Sequence, residues 1–158
     1  MLKCRIISKI RDKILIQHQA KAALLKHLGK LHWAVVAEKP QPQGEYLILK
    51  SAAGHQHDIL IQLLNLDEAR SIKIPQSVFD YEPRDDRWIL LVLFMTGMEQ
   101  LLYLIPNTVF QTPDNMFVNN EQKPMFQHLS NWEIKVFRNA IPELSRFALE
   151  AVTKLDRP

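Results

Sequence analysis

The stretch RWILLVLF, residues 87–94, constrains this chain most. From Trp88 to Phe94 every residue is apolar, with no polar position at either a two- or a three-residue step. A strand with one wet face alternates, so an unbroken apolar run implies a strand covered on both sides. It therefore predicts the middle of a sheet packed by helices on both faces. The uncharged run continues to Met98, which is still too short to cross a bilayer as a helix of about 20 apolar residues.

The residues around this run supply the rest of the sheet and its cover. Ile16, Ala20, Ala23, Leu24, His27, Leu28 and Leu31 recur at three- and four-residue steps and predict a helix over Ile10–Leu31. Gly29 suits its left-handed C-terminal position, and His27 reads as a packed side chain. HWAVVA follows as a short strand, and EKPQPQG reads as a loop. EYLILKS and HDILIQLLN flank AAGHQ as a hairpin, and RWILLVLFM and QLLYLIP flank TGME as another. SIKI is a strand that stops at Pro75. Residues 107–130 read mostly as loop, and NWEIKVF alternates as a candidate strand with Trp132, Ile134 and Val136 on one face, a short helix being the other reading. Pro142 and Glu143 suit the first turn of a helix whose stripe, Leu144, Phe147, Ala148, Ala151 and Leu155, runs to the C-terminus. The expected architecture is one α/β domain over residues 1–158, a central mixed sheet flanked by an N-terminal and a C-terminal helix.

Composition narrows the function classes. Hydrophobic residues at 47% and charged residues at 23% are globular values. Lysines and arginines interrupt the first residues too often for a signal peptide, and Cys4, the sole cysteine, excludes an internal disulfide and a multi-cysteine metal cage. A cytoplasmic location with no membrane partner is expected. With four glycines there is no Gly-rich phosphate loop, and no GxSxG nucleophile motif occurs. The net charge of +3 is unevenly spread: eight Lys and Arg residues face one acid, Asp12, in the first thirty positions. Such a stripe attracts phosphates, and Lys9, Lys13 and Lys30 are the candidate nucleic-acid-binding residues; a solvated helix face is the other reading. HQHD offers His55, His57 and Asp58 as candidate metal ligands, against a reading as exposed turn residues. In VFDYEP, Phe79 and Tyr81 are candidate aromatic anchors for a partner.

The order helix, strand, EYLILKS/HDILIQLLN hairpin, apolar strand and YLIP edge, over roughly Ile10 to Phe110, resembles the small PD-(D/E)XK restriction-endonuclease-like families of bacteria. The resemblance implies a helix packed beside the hairpin, an acid in the first hairpin strand, and Glu or Gln, a spacer and Lys in the second. Those residues would hold Mg²⁺ and steady the attacking water. Carried onto this chain, Glu45 takes the first position, Gln62 the second, and Leu64 stands where the lysine belongs. Leucine supplies neither charge nor donor, so the motif is degenerate. A substitute set of Asp58 with Glu68-Ala69-Arg70 ends in an arginine, which stays charged and shuttles protons poorly. The expectation is a noncatalytic nuclease-like domain that binds DNA or RNA or supports a nucleic-acid-processing system, with Mg²⁺ needed only if it cleaves. The alternatives are a protein-interaction module or homodimer, pairing through SIKIP or WEIKVF, and a metal-dependent phosphodiesterase built unlike the family from Glu45, Asp58, Gln62 and Glu68.

Overall fold

The computed structural model describes residues 2–152 apart from 43 and 138, with side chains from 11 onward. In chain order its elements are α1 (Leu2–Gly29), β1 (Ala34–Gln41), β2 (Gly44–Lys50), β3 (Gln56–Asn65), β4 (Ser71–Pro75), β5 (Arg87–Phe94), β6 (Leu101–Pro106), β7 (Phe117–Asn120), β8 (Asn131–Lys135) and α2 (Ala140–Leu144), with short 3-10 turns between them. The apolar run is β5, and it lies inside a five-stranded mixed sheet of order β1-β2-β3-β5-β6. Only β3 and β5 run parallel; the other neighbours are antiparallel.

Both faces of β5 are covered, as its composition requires. Leu90 and Val92 join Ile59, Ile61 and Leu104 against Ala20, Leu24 and Leu28 of α1. Ile89, Leu91 and Leu93 face the other way, with Leu60 and Ile105, against Ile72, Ile74, Trp132 and Ile134. Those last four belong to a second, three-stranded antiparallel sheet, β4-β8-β7. The chain is thus a helix, a five-stranded sheet and a three-stranded sheet stacked in layers. The second cover is a sheet, where helices were expected, because residues 107–130 contain β7, and β7 and β4 pair on either side of β8. Aromatic contacts tie this layer down: Phe110 stacks on Trp132 at 5.3 Å, and Phe79 lies 6.2 Å from the same indole.

Other elements differ from the sequence reading in their limits. The N-terminal helix begins at Leu2, and its residues 11–15 are exposed while Ala20, Leu24 and Leu28 are buried. Gly29 ends the helix, but the left-handed residue is His32, at φ 61°. β1 runs on through Pro40, which an edge strand tolerates because no outer neighbour needs its N–H. Pro142 does sit in the first turn of α2, yet that helix ends at Leu144. Ala148 is extended, at φ −52° and ψ 134°, and bridges to Tyr103 at the edge of β6, so a continuous helix could not pass through it. Leu155 lies outside the described residues. Among the described residues no helix is long and apolar enough to cross a membrane.

Candidate functional site

Strand pairing decides where the hairpin's polar residues go. Glu45 on β2 stands opposite Ile61, on the face that packs against α1. There its Oε1 lies 2.9 Å from Lys21 Nζ, which also reaches Glu38 at 2.9 Å. Burial pulls the Lys21 pKa down, but hydrogen bonds to Glu45 and Glu38 outweigh it and leave the ammonium above the usual lysine value. Asp58 and Gln62 on β3 project from the opposite face, because side chains two and four apart on a strand share a side with Leu60. The Tyr46 hydroxyl donates to Asp58 Oδ2, and Gln56 Nε2 donates to Oδ1 at 3.2 Å. Burial first, and the Asp58 carboxylate second, hold the Tyr46 phenol well above its ordinary pKa. Gln62 is buried, its Nε2 donating to Ile61 O at 3.0 Å. Its amide covers Gly44, where an added Cβ would stand 1.7 Å from the Ile61 carbonyl oxygen, so only glycine lets the two strands close here.

Leu64, which the resemblance sets in the lysine position, is buried in the core beneath β4 and β8. Glu68 lies in the turn beyond β3, exposed. Glu45, Asp58, Gln62 and Glu68 therefore do not converge, and the set does not fit a Mg²⁺ ion, whose ligands must share one small cage.

The histidines separate in the same way. His57 is buried, its Nδ1 accepting from Trp88 Nε1 at 3.2 Å and its ring 4.4 Å from that of Trp33. His55 is exposed before the strand, and Asp58 is turned to the other face. Among the described residues no group of three or more His, Cys, Asp or Glu could hold a metal. His27 is a packed side chain, as expected, with Nε2 against the Val152 carbonyl.

Phe79 is buried against Tyr46 and Trp132, so it cannot anchor a partner; the 3-10 turn Gln76–Phe79 directs it inward. Tyr81 is exposed and follows Asp80 in left-handed backbone, at φ 61° and 51°. Buried Arg87 holds that loop, with Nη1 donating to Phe79 O at 2.6 Å and Glu82 O at 2.9 Å. Asn107 assists by accepting from Arg84 N at 2.8 Å. SIKIP, as β4, is an edge of the three-stranded sheet, whereas WEIKVF contributes its centre, β8.

The lysines show what the tertiary structure assembles. Lys30 follows the end of α1, about 25 Å along the helix from Lys13 at 1.5 Å per residue, so the two do not share a groove. The Lys9 side chain lies outside the described residues. Lys13 borders a cleft of about 400 Å³ at the carboxyl ends of the parallel strands β3 and β5, with Asn65, Glu68, Ser71, Lys73 and Phe94. The carboxyl edge of parallel strands is where open α/β sheets take ligands. Lys13 comes from the helical layer and Lys73 from the three-stranded sheet, so the cleft wraps round the end of the central sheet. Sequence reasoning missed Lys73: sixty residues separate the lysines, and nothing local in SIKIP marks the pairing. A second hollow of about 390 Å³ shares Phe94 and is lined by Ile16, Gln19, Met95, Met98, Glu99 and Gln100. Gln100 Nε2 donates to Gln19 Oε1 at 2.6 Å across its far end. Compared with protein-family models, curated proteins and solved structures, the chain matches none.

Proposed function

We propose that the chain is a noncatalytic, restriction-endonuclease-like domain that binds DNA or RNA, with Lys13 and Lys73 taking backbone phosphates. The observation that carries this reading is the cleft that places those two lysines, from different layers, on either side of the carboxyl ends of β3 and β5. The nuclease-like part rests on α1 packed beside the β2–β3 hairpin, the arrangement the sequence resemblance implies. Loss of catalysis follows from Leu64 in the lysine position and from the separation of Glu45 and Asp58. A cytoplasmic site of action, alongside nucleic acid, belongs to the same reading.

The test is an anisotropy titration against labelled single- and double-stranded DNA and RNA at two salt concentrations, with EDTA or with Mg²⁺ and Mn²⁺. Salt-sensitive binding with strands left intact is expected. Lys13→Glu with Lys73→Glu should weaken it and flatten the salt dependence by about 0.7–0.9 log units per lost phosphate contact. Metal-dependent shortening of the strands would overturn the noncatalytic part, and binding indifferent to both lysines would overturn the site.

A protein-interaction role is the second reading, and one feature favours it. The turn Pro124–Leu129 between β7 and β8 exposes Met125, Phe126 and Leu129 at 80%, 47% and 58%. Large apolar side chains clustered in a polar loop are the usual content of a partner-binding surface. Light scattering would test homodimerisation: a monomer at every concentration, unchanged by replacing all three residues with serine, would remove that form of the reading.

A further inference from the structure

We infer that the nucleic acid taken by this site is single-stranded, with one unpaired base lodged against Phe94 in the hollow beside the two lysines. The inference rests on the nucleic-acid reading above and adds to it the form of the ligand. The two hollows meet at Phe94, which lines both. α1 runs along them with Lys13 in the first and Ile16 in the second, three residues on and therefore on the same side of the helix, about 4.5 Å further along its axis. Taken together the two hollows, neighbours across Phe94, make a trough whose two ends differ in character.

The Lys13 end is lined by two lysines and one carboxylate, Glu68. At the other end Phe94, Ile16, Met95 and Met98 make an apolar floor, and the polar groups are Glu99 and the Gln19–Gln100 amide pair. A carboxylate there repels a second phosphate but accepts hydrogen bonds from the edge N–H groups of a base. One end matches the charged part of a nucleotide and the other its uncharged, flat part. Base stacking on aromatic side chains is indifferent to sequence and requires a base free of its partner strand. A duplex presents phosphates to Lys13 and Lys73 but keeps its bases paired, so it can occupy only half of the trough.

The experiment compares three labelled probes of about 12 nucleotides: oligodeoxythymidine, an abasic strand with the same phosphates, and a duplex. Oligodeoxythymidine should bind roughly 5- to 150-fold more tightly than the abasic strand, the range a stacked base supplies. Phe94→Ala should erase that advantage and leave the salt dependence unchanged. Because Phe94 is half-buried, Met98→Glu, at an exposed position, provides a second variant that should reduce the same ratio without a folding defect. Equal binding of all three probes, or a ratio untouched by either variant, would overturn the single-strand inference while the phosphate site stood. Binding of none of them would overturn both.

Discussion

Glu45 and Asp58 stand on adjacent strands of one hairpin yet project from opposite faces of the sheet, the first against Lys21 of α1 and the second against Tyr46. A strand's two-residue period makes this unavoidable once the register pairs Glu45 with Ile61. Each carboxylate is engaged in its own structural contact, and neither faces the cleft that carries Lys13 and Lys73. Stability is therefore the property their replacement should change. Glu45→Gln leaves Lys21 with Glu38 as its one charged partner among the described residues and should cost about 1–2 kcal/mol, since a hydrogen bond to a charged group contributes about 1.5–3 kcal/mol. Urea unfolding measures this, and the proposed binding of nucleic acid, titrated alongside, should be unchanged.

The stack of Phe110 on Trp132, with Phe79 beside it, fastens the three-stranded sheet to the central one. Trp132 is fully buried, so Trp132→Ala should destabilise by about 3–5 kcal/mol. A denaturation midpoint within experimental error of the parent would show that this layer contributes little to the fold.

Tyr81 sits at φ 61°, where a residue with a Cβ pays about 1–2 kcal/mol that glycine does not. Tyr81→Gly should leave stability unchanged or raise it slightly, the relief offset in part by the entropy glycine loses on folding. Arg87→Met should go the other way by about 2–4 kcal/mol, because it strands the carbonyls of Phe79 and Glu82. Thermal melts of the two variants should therefore shift in opposite directions or, for Tyr81→Gly, not at all.

The pH dependence has two ends with different sources. Asp67 accepts from Thr96 N at 2.8 Å and Thr96 Oγ1 at 2.7 Å, and these bonds hold its carboxyl below the ordinary range. A folded pKa below the unfolded one gives stability that is complete above the unfolded value and lost as pH falls through the folded one. Asp67→Asn should flatten the stability curve below about pH 4, near the unperturbed aspartate value. Tyr46 and Lys21 are raised, so their contributions are complete below about pH 10 and fade as pH climbs beyond it. Tyr46→Phe should reduce the loss of stability between neutral and strongly alkaline buffer. An unaltered alkaline limb would show that the phenol has the same pKa in the folded and unfolded chain.

The unbroken run Trp88–Phe94 was enough to place β5 inside a doubly covered sheet, and alternation placed Trp132, Ile134 and Val136 in the core. Both hairpins were legible because glycine-containing turns separate their apolar strands, and α1 because its stripe repeats over four turns. Those signals are local: burial imposes a period on neighbouring residues, and the period can be read without knowing what covers it. What covered β5 could not be read that way. Residues 117–120 become a strand because β8 offers them a ladder, and Ala148 leaves the helix to bridge β6. Both are choices made by distant backbone partners, which local propensity does not encode.

The site divides along the same line. The sequence by itself determined that Leu64 offers neither charge nor hydrogen-bond donor and that the first thirty residues are rich in cations. Only the tertiary structure decided that Glu45 and Asp58 part company, that Lys30 lies far from Lys13, and that Lys73 joins Lys13 at the end of the parallel strands. A residue's chemistry is local and survives in a string of letters. Which side chains share a cleft depends on register and layer order, and those follow from long-range burial.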